Sequence, residues 1–487
     1  MIKPSMEDAR KYCETYQSIP ISLELFSDIK TPIEVLKCLK STSKKCYLLE
    51  SVEGGEKWGR YSFLGFDPTL SVTCLNGEVT IKNGRVKDGV RDNPLEVLRK
   101  IIAEWKSPKL DFLPDFTGGF VGYVSYDFVK YTERNLTLEN NNAEGFDDLK
   151  LMLFDKVIAY DHLRQKMVII VNIKTDNFEK NYIDGVVKLM EIESLIKNCS
   201  STEKFSGRVT SDFSYLFSKD TYCNMVEKTK EHIYQGDIFQ AVISNRMEAA
   251  FEGDLLSTYR VLRTINPSPY MFYIDFDEIQ IAGASPETLV SLKNSRLSTF
   301  PIAGSCPRGA TPNEDEVFIA ELLKDEKELS EHNMLVDLGR NDLGKVSEFG
   351  TVVVEEYKQV VKYSHITHIA STVTGILKEH LDQLDALSAV LPAGTLSGAP
   401  KKRAMEIINE LEGEKRGVYG GAVGYIDFSG NMDMCIAIRM AVKKNNKVYV
   451  SAGAGIVADS IPEKEFNESH NKARAMFEAL ERAQEVE

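Results

Sequence analysis

The chain has 487 residues, 43% hydrophobic and 27% charged, a globular composition with material for more than one core. Its net charge of −14, without a lysine- or arginine-rich run, excludes nucleic acid and anionic membrane as expected partners, so any anionic ligand must be held by local groups. No run of about 18 apolar residues occurs, and the charged start MIKPSMEDARKYCETY lacks the apolar core of a signal peptide, so a cytoplasmic location is expected. Eight cysteines, at 13, 38, 46, 74, 199, 223, 306 and 435, include no CxxC pair and are expected to be reduced thiols. None stands in a G-x-C-x-G turn, the nucleophile elbow of a glutamine-hydrolysing amidotransferase.

In chain order, CYLLESV (46–52) and KMVIIVNI (166–173) alternate as strands. The polar stretch 198–215 breaks the apolar periodicity, which divides the chain into an N-terminal domain 1–200, a linker 201–215 and a C-terminal domain 216–487. Residues 219–235 read as a helix ending at Gly236, and Ile238 to Asn245 as a strand with Gln240, Val242 and Ser244 on one face. PIAGSCPRG (301–309) is a stiff, bent segment of small side chains; a phosphate loop would need Gly-Lys-Ser/Thr opening a helix, and none follows.

Glu328 and Glu331 lie one turn apart on a predicted helix, where acids ordinarily form a solvated face. Joined by Glu468 from another helix, they could hold a hard divalent ion such as Mg²⁺, which takes one or two carboxylates and keeps several waters. His365 and His368 in YSHITH are a weak zinc pattern without a third ligand; a structural histidine and an acid–base group both remain open readings. Ser397 is the expected N-cap of a helix running to Leu411 and Gly413, with Pro400 in its first turn. A strand from Met434 to Val442 is expected to bury Met434, Ile436, Ile438 and Met440 and to set Arg439 among small residues, as if space were left for a ligand. Gly453, Ala454 and Gly455 offer approachable amides or a bare turn. The last helix is expected to start at Ser460 with Glu463 completing a capping box, and to place Glu465, Glu468 and Lys472 on one face.

Taken in order, PIAGSCPRG, DEKELSEHNMLVDLGRNDLG, YSHITH, GTLSGAPKKRAMEII, YGGAVGY, CIAIRMAV and AGAGIVADSIPEKEFNES resemble the chorismate-utilising enzymes, and most closely anthranilate synthase component I. The resemblance implies an α+β fold of two orthogonally packed antiparallel sheets flanked by helices, with the site in the cleft between them. It implies Glu287 as the acid, His368 in the second step, and Thr395 and Lys472 in the pocket wall. Arg439, Tyr419 and the amides of Gly453, Ala454 and Gly455 would hold carboxylates, with Gly304 and Ser305 beside the ring and Glu331 and Glu468 as Mg²⁺ ligands.

The implied activity is Mg²⁺-dependent conversion of chorismate and ammonia to anthranilate and pyruvate. Gln240 and Ala303 stand where water-adding and C4-aminating relatives carry lysines. Without an amidotransferase nucleophile, the chain implies a hetero-oligomer with a glutamine amidotransferase subunit. LLES, with Glu50 and Ser51, and NPSPYM, with Pro269, Tyr270 and Met271, resemble the tryptophan pocket of feedback-inhibited enzymes, although by themselves they are a strand end and a proline-rich turn. The alternatives are an aminodeoxyisochorismate synthase without the lyase step and a non-catalytic tryptophan-sensing protein. Serine and cysteine at 305 and 306 depart from the family's usual threonine and arginine.

Overall fold

The computed structural model describes residues 2–51, 59–83, 86–91, 93–133, 135–138, 140–199, 203–309, 311–362 and 366–486. In the strand Tyr270–Phe276, Phe272, Ile274 and Phe276 enter one core while Met271 and Tyr273 enter another. The strand Lys45–Glu50 repeats this, with Tyr47 on one side and Cys46 and Leu48 on the other. A sheet that is apolar on both faces has to be covered on both, and this sets the layers. The first core fills the space between two sheets. The second lies between one sheet and the helices outside it, including Pro32–Thr42, Phe178–Asn198, Leu256–Ile265 and Pro462–Arg482.

Among the described residues one sheet has 14 strands and the other 12. Their pairings are antiparallel and helices flank them, so the fold is of the expected α+β class. Both sheets take strands from both ends of the chain: Lys45–Glu50 pairs with Tyr270–Phe276, and Gly119–Val124 with Ala422–Asp427. The segments 1–200 and 216–487 thus share both sheets and the core between them. Within the expected linker, Gly207–Val209 and Ser214–Tyr215 pair with the long strand Gln240–Gly253; residues 200–202 lie outside the described residues.

Four local expectations need correction. The span Met434–Val442 is two strands: Met432–Ile436 belongs to the 12-stranded sheet and Met440–Lys444 to the 14-stranded one. Ala437 to Arg439 carry the chain between sheets, and Arg439 adopts a left-handed φ of 53° at this corner, a conformation that costs a non-glycine residue energy. Ser397 does not cap a helix; its hydroxyl donates to the Ala393 carbonyl at 2.8 Å, and the helix Lys401–Glu412 starts after Pro400. Ser460 forms no capping box, because its Oγ accepts from the Val457 N–H at 3.1 Å while the helix begins at Pro462. Not all cysteines are reduced: Cys38, in the helix Pro32–Thr42, and Cys199, just past the end of the helix Phe178–Asn198, form a disulfide across 161 residues of sequence, with their Cα atoms 5.9 Å apart. No helix among the described residues is long and apolar enough to cross a membrane.

Candidate active site

A cavity of about 530 Å³ opens where the two sheets and two helices meet. Gln240 and Val242 reach it from the 14-stranded sheet, and Ala303, Gly304 and His368 from the 12-stranded one. The helix Glu326–Val346 adds Glu328 and Glu331, and the last helix adds Glu465, Glu468 and Lys472, which the i, i+3 and i+4 spacing places on one face. Gly304 sits at a bulge in the strand Ile302–Pro307 with φ of 78°, which explains the glycine there.

Glu287 enters this wall from the turn between the strands Ile279–Ser285 and Thr288–Lys293. Its Oε1 accepts from the Thr395 hydroxyl at 3.2 Å. Desolvation pushes its pKa up to about 8, against the opposing pull of that bond and of the Lys472 charge. A carboxylic acid protonated near neutral pH, held by a hydroxyl and facing a cavity, is equipped to donate a proton.

Arg439 is half-buried, and its Nη1 donates to the Lys472 carbonyl at 2.7 Å. Burial draws its pKa down, yet a guanidinium stays charged. Tyr419 is buried, its pKa is raised to about 12, and its phenol is therefore a neutral donor. Lys472 Nζ donates to Glu468 Oε1 at 2.7 Å and to the Gly453 carbonyl at 3.2 Å. These groups give a cationic and hydroxylic lining to a cavity that also includes the small residues Ala303 and Gly304, suited to an anion.

The acidic side has a different character. The Glu331 carboxyl is raised by burial and then by the charges of Glu328 and Glu468. Negative charge gathered in a desolvated place fits a hard cation. Among the described residues no set of three or more histidine, cysteine, aspartate or glutamate side chains converges to hold a metal alone. Two carboxylates completed by water and substrate oxygens is the donor set that Mg²⁺ accepts. His368 has its Nδ1 3.3 Å from the Gly304 carbonyl, a contact in which Nδ1 carries the proton, and desolvation lowers its pKa.

Of the predicted residues, Glu287, Gly304, Glu331, His368, Thr395, Tyr419, Arg439, Gly453, Gly455, Glu468 and Lys472 all meet in this cavity. The Ala454 side chain does not: it points into a core with Ile243 and Ile407, because alternation along the strand Lys447–Ile456 turns it away from Gly453 and Gly455. A Cβ at Gly455 would come within 2.5 Å of the Gln240 amide and one at Gly453 within 2.6 Å of the Ile243 carbonyl, so these glycines also serve strand packing. The backbone of Ser305 lies opposite His368, while its side chain and His365 lie outside the described residues. Lys327 lines the cavity too, and its i, i+4 relation to Glu331 was a usable signal.

A second cavity of about 300 Å³ gathers Glu50, Ser51, Pro269, Tyr270 and Met271, together with Phe63, Tyr425 and Lys293. Glu50 is satisfied within its wall, accepting from Tyr259 Oη at 2.6 Å and from Arg263 Nη2 at 3.1 Å. Tyr270 Oη stands 2.8 Å from Thr288 Oγ1 and donates to Asp433 Oδ1 at 2.8 Å. Thr288 follows Glu287 directly, so this contact links Tyr270 of the second cavity to the residue next to Glu287.

The family described as chorismate binding enzyme matches residues 44–478. The chain belongs to the chorismate binding enzyme family. Among its members, the protein named anthranilate synthase component 1 from Acetivibrio thermocellus is 45% identical, with all of both chains covered. The protein of the same name from Aquifex aeolicus is also 45% identical, over 99% of this chain and 98% of its own. The crystal structure of anthranilate synthase component I from Streptococcus pneumoniae covers 93% of this chain and 98% of its own at 36% identity, with a TM-score of 0.78. The family match starts just before the strand Lys45–Glu50 and ends inside the last helix, so it includes both cavities.

Proposed function

We propose that this chorismate binding enzyme converts chorismate and ammonia to anthranilate and pyruvate through aminodeoxyisochorismate. The observation that carries the reading is Glu287, a carboxyl with its pKa at about 8 beside Thr395, in a cavity whose other walls suit a dianionic ring. Arg439, Tyr419, Lys472 and the amides at 453–455 hold the carboxylates. Ammonia forms a bond to C2 as the ring double bond shifts and the C4–O bond breaks. Glu287 supplies the proton that lets the hydroxyl leave as water, and the added nitrogen returns a proton to solvent. His368 serves the second step, in which the C2 proton is removed as the C3–O bond breaks, the ring becomes aromatic, and the leaving enolpyruvate takes up a proton to become pyruvate. Mg²⁺ held by Glu331 and Glu468 would supply positive charge to the ring carboxylate.

Nothing in the sequence offers a glutaminase nucleophile, so ammonia is proposed to arrive from a glutamine amidotransferase subunit. The purified chain, given chorismate and Mg²⁺, is expected to form anthranilate from ammonium at mildly alkaline pH and none from glutamine until that subunit is added. Chromatography of the products decides this, and anthranilate made from glutamine by the pure chain would refute the reading.

The second cavity is proposed to bind tryptophan as an inhibitor. What supports this is the convergence there of five residues from two distant segments, and the Tyr270–Thr288 contact one residue from Glu287. Ser51→Arg is expected to fill the pocket and weaken tryptophan inhibition by about 5- to 150-fold, the usual span of an allosteric coupling, with uninhibited activity retained. Inhibition unchanged in an active Ser51→Arg enzyme would remove tryptophan from this pocket.

A further inference from the structure

Behind the wall of the catalytic cavity lies a buried ion pair that the proposed chemistry does not use. Arg416 and Glu412 have side chains only 3% and 4% exposed. The guanidinium meets the carboxylate side-on along one edge, Nε to Oε2 at 2.8 Å and Nη2 to Oε1 at 2.7 Å. Its remaining contacts go to backbone: Nη1 donates to the Leu396 carbonyl and Nη2 to the Val242 carbonyl, both at 2.6 Å. Glu412 Oε1 in turn accepts from the Ser244 N–H at 2.8 Å and its hydroxyl at 3.0 Å. The Tyr126 ring covers the guanidinium at 4.5 Å.

These bonds converge on the active site from outside. Val242 and Leu396 both line the catalytic cavity, on different elements, and one guanidinium holds their carbonyls at a fixed separation. Leu396 is joined to Thr395, whose hydroxyl is the hydrogen-bond partner of Glu287. Tyr419 stands three residues after Arg416 in the same wall. A planar five-donor fork can hold a carboxylate and two carbonyls at once; an ammonium cannot reproduce that geometry.

Building on the proposed role of Glu287, we propose that Arg416, clamped by Glu412, is a positioning residue for catalysis. It sets the Leu396 carbonyl and thereby places the Thr395 hydroxyl on the catalytic carboxyl. If the pair served the fold alone, replacing it would lower stability and leave the chemical step of folded molecules unaltered. If it positions Thr395, a small displacement removes a hydrogen bond that favours the ionised form of Glu287, and the pKa of that acid rises further.

The test uses Arg416→Lys, Glu412→Gln, Thr395→Val and the double variant Arg416→Lys/Thr395→Val, assayed with chorismate, Mg²⁺ and ammonium. Arg416→Lys is expected to lower kcat by on the order of 10²-fold, the cost of a misplaced catalytic group, with a much smaller change in the KM for chorismate. The alkaline limb of its kcat–pH profile should move upward. The double variant should lose little beyond Thr395→Val alone, because both act through one contact. Folded Arg416→Lys with an unshifted pH limb, or losses that multiply in the double variant, would overturn the proposal. Should Arg416→Lys fail to fold, Glu412→Gln, which keeps the shape and loosens the clamp, carries the same expectations and the same refutation. Wild-type enzyme that makes no anthranilate would instead refute the reaction assigned above, before any variant is compared.

Discussion

Glu287→Gln is expected to lower kcat for anthranilate formation by about 10² to 10⁴-fold, the usual worth of a positioned acid, with little change in the KM for chorismate. The amide keeps the shape of the carboxyl and its bond with Thr395 but has no proton to transfer. In the native enzyme the acid works only while protonated, so kcat should fall as pH rises through about 8. At lower pH the supply of unprotonated ammonia limits the rate, and the profile in ammonium is expected to be a bell. Stability has the matching sign. Because the folded pKa lies at about 8 against an ordinary value of 4.5, the native state holds this proton more tightly than the unfolded chain does. The resulting stabilisation is complete below the ordinary value and is lost as pH rises through the folded one. Glu287→Gln never acquires the buried charge and should gain in Tm relative to the native enzyme at pH above about 8, and not at acid pH. Thermal denaturation at the two extremes, beside the rate profile, checks both statements; a kcat within threefold of native would remove Glu287 from the chemistry.

Glu331→Gln and Glu468→Gln are each expected to raise the Mg²⁺ concentration needed for half-maximal activity by about 10²-fold or more, since even outer-sphere partners of a metal contribute 10–100-fold. Stability should move the other way for Glu331. Burial, Glu328 and Glu468 already disfavour its charge, so Glu331→Gln relieves repulsion in metal-free protein and should leave Tm equal or higher. Lys472 complicates Glu468, because Glu468→Gln frees the lysine from a 2.7 Å ion pair; a partly exposed pair of this kind is worth little to the fold. A Mg²⁺ titration of activity with Tm measured in chelator separates the two effects. Native Mg²⁺ response in both variants would move the metal elsewhere.

Much of this enzyme was legible before folding because its signals are local. Alternation along residues 46–52 and 166–173, the i, i+3 and i+4 spacing of Glu465, Glu468 and Lys472, and the lack of a G-x-C-x-G turn need no partner to be read. The family resemblance did the rest: its ordered motifs named nine of the residues that the fold brings into one cavity, and the wider match added Glu287 and Lys472.

The tertiary structure decided whatever depends on which sheet a residue joins. Periodicity ran through Met434–Val442 without a break, and only the pairing shows the chain changing sheets at Arg439. Ala454 was separated from its two glycines by the pleat, and Ser397 and Ser460 turned their hydroxyls to nearer backbone groups than a helix start. The Cys38–Cys199 pair and the clamp of Arg416 on Leu396 and Val242 join segments remote in sequence. Such contacts form only when cores on both faces of the sheets fix how helices and strands lie against each other. The residue types of this site were thus written in the chain, and the raised acidity of Glu287 was not, because desolvation and a bond from residue 395 exist only in the folded protein.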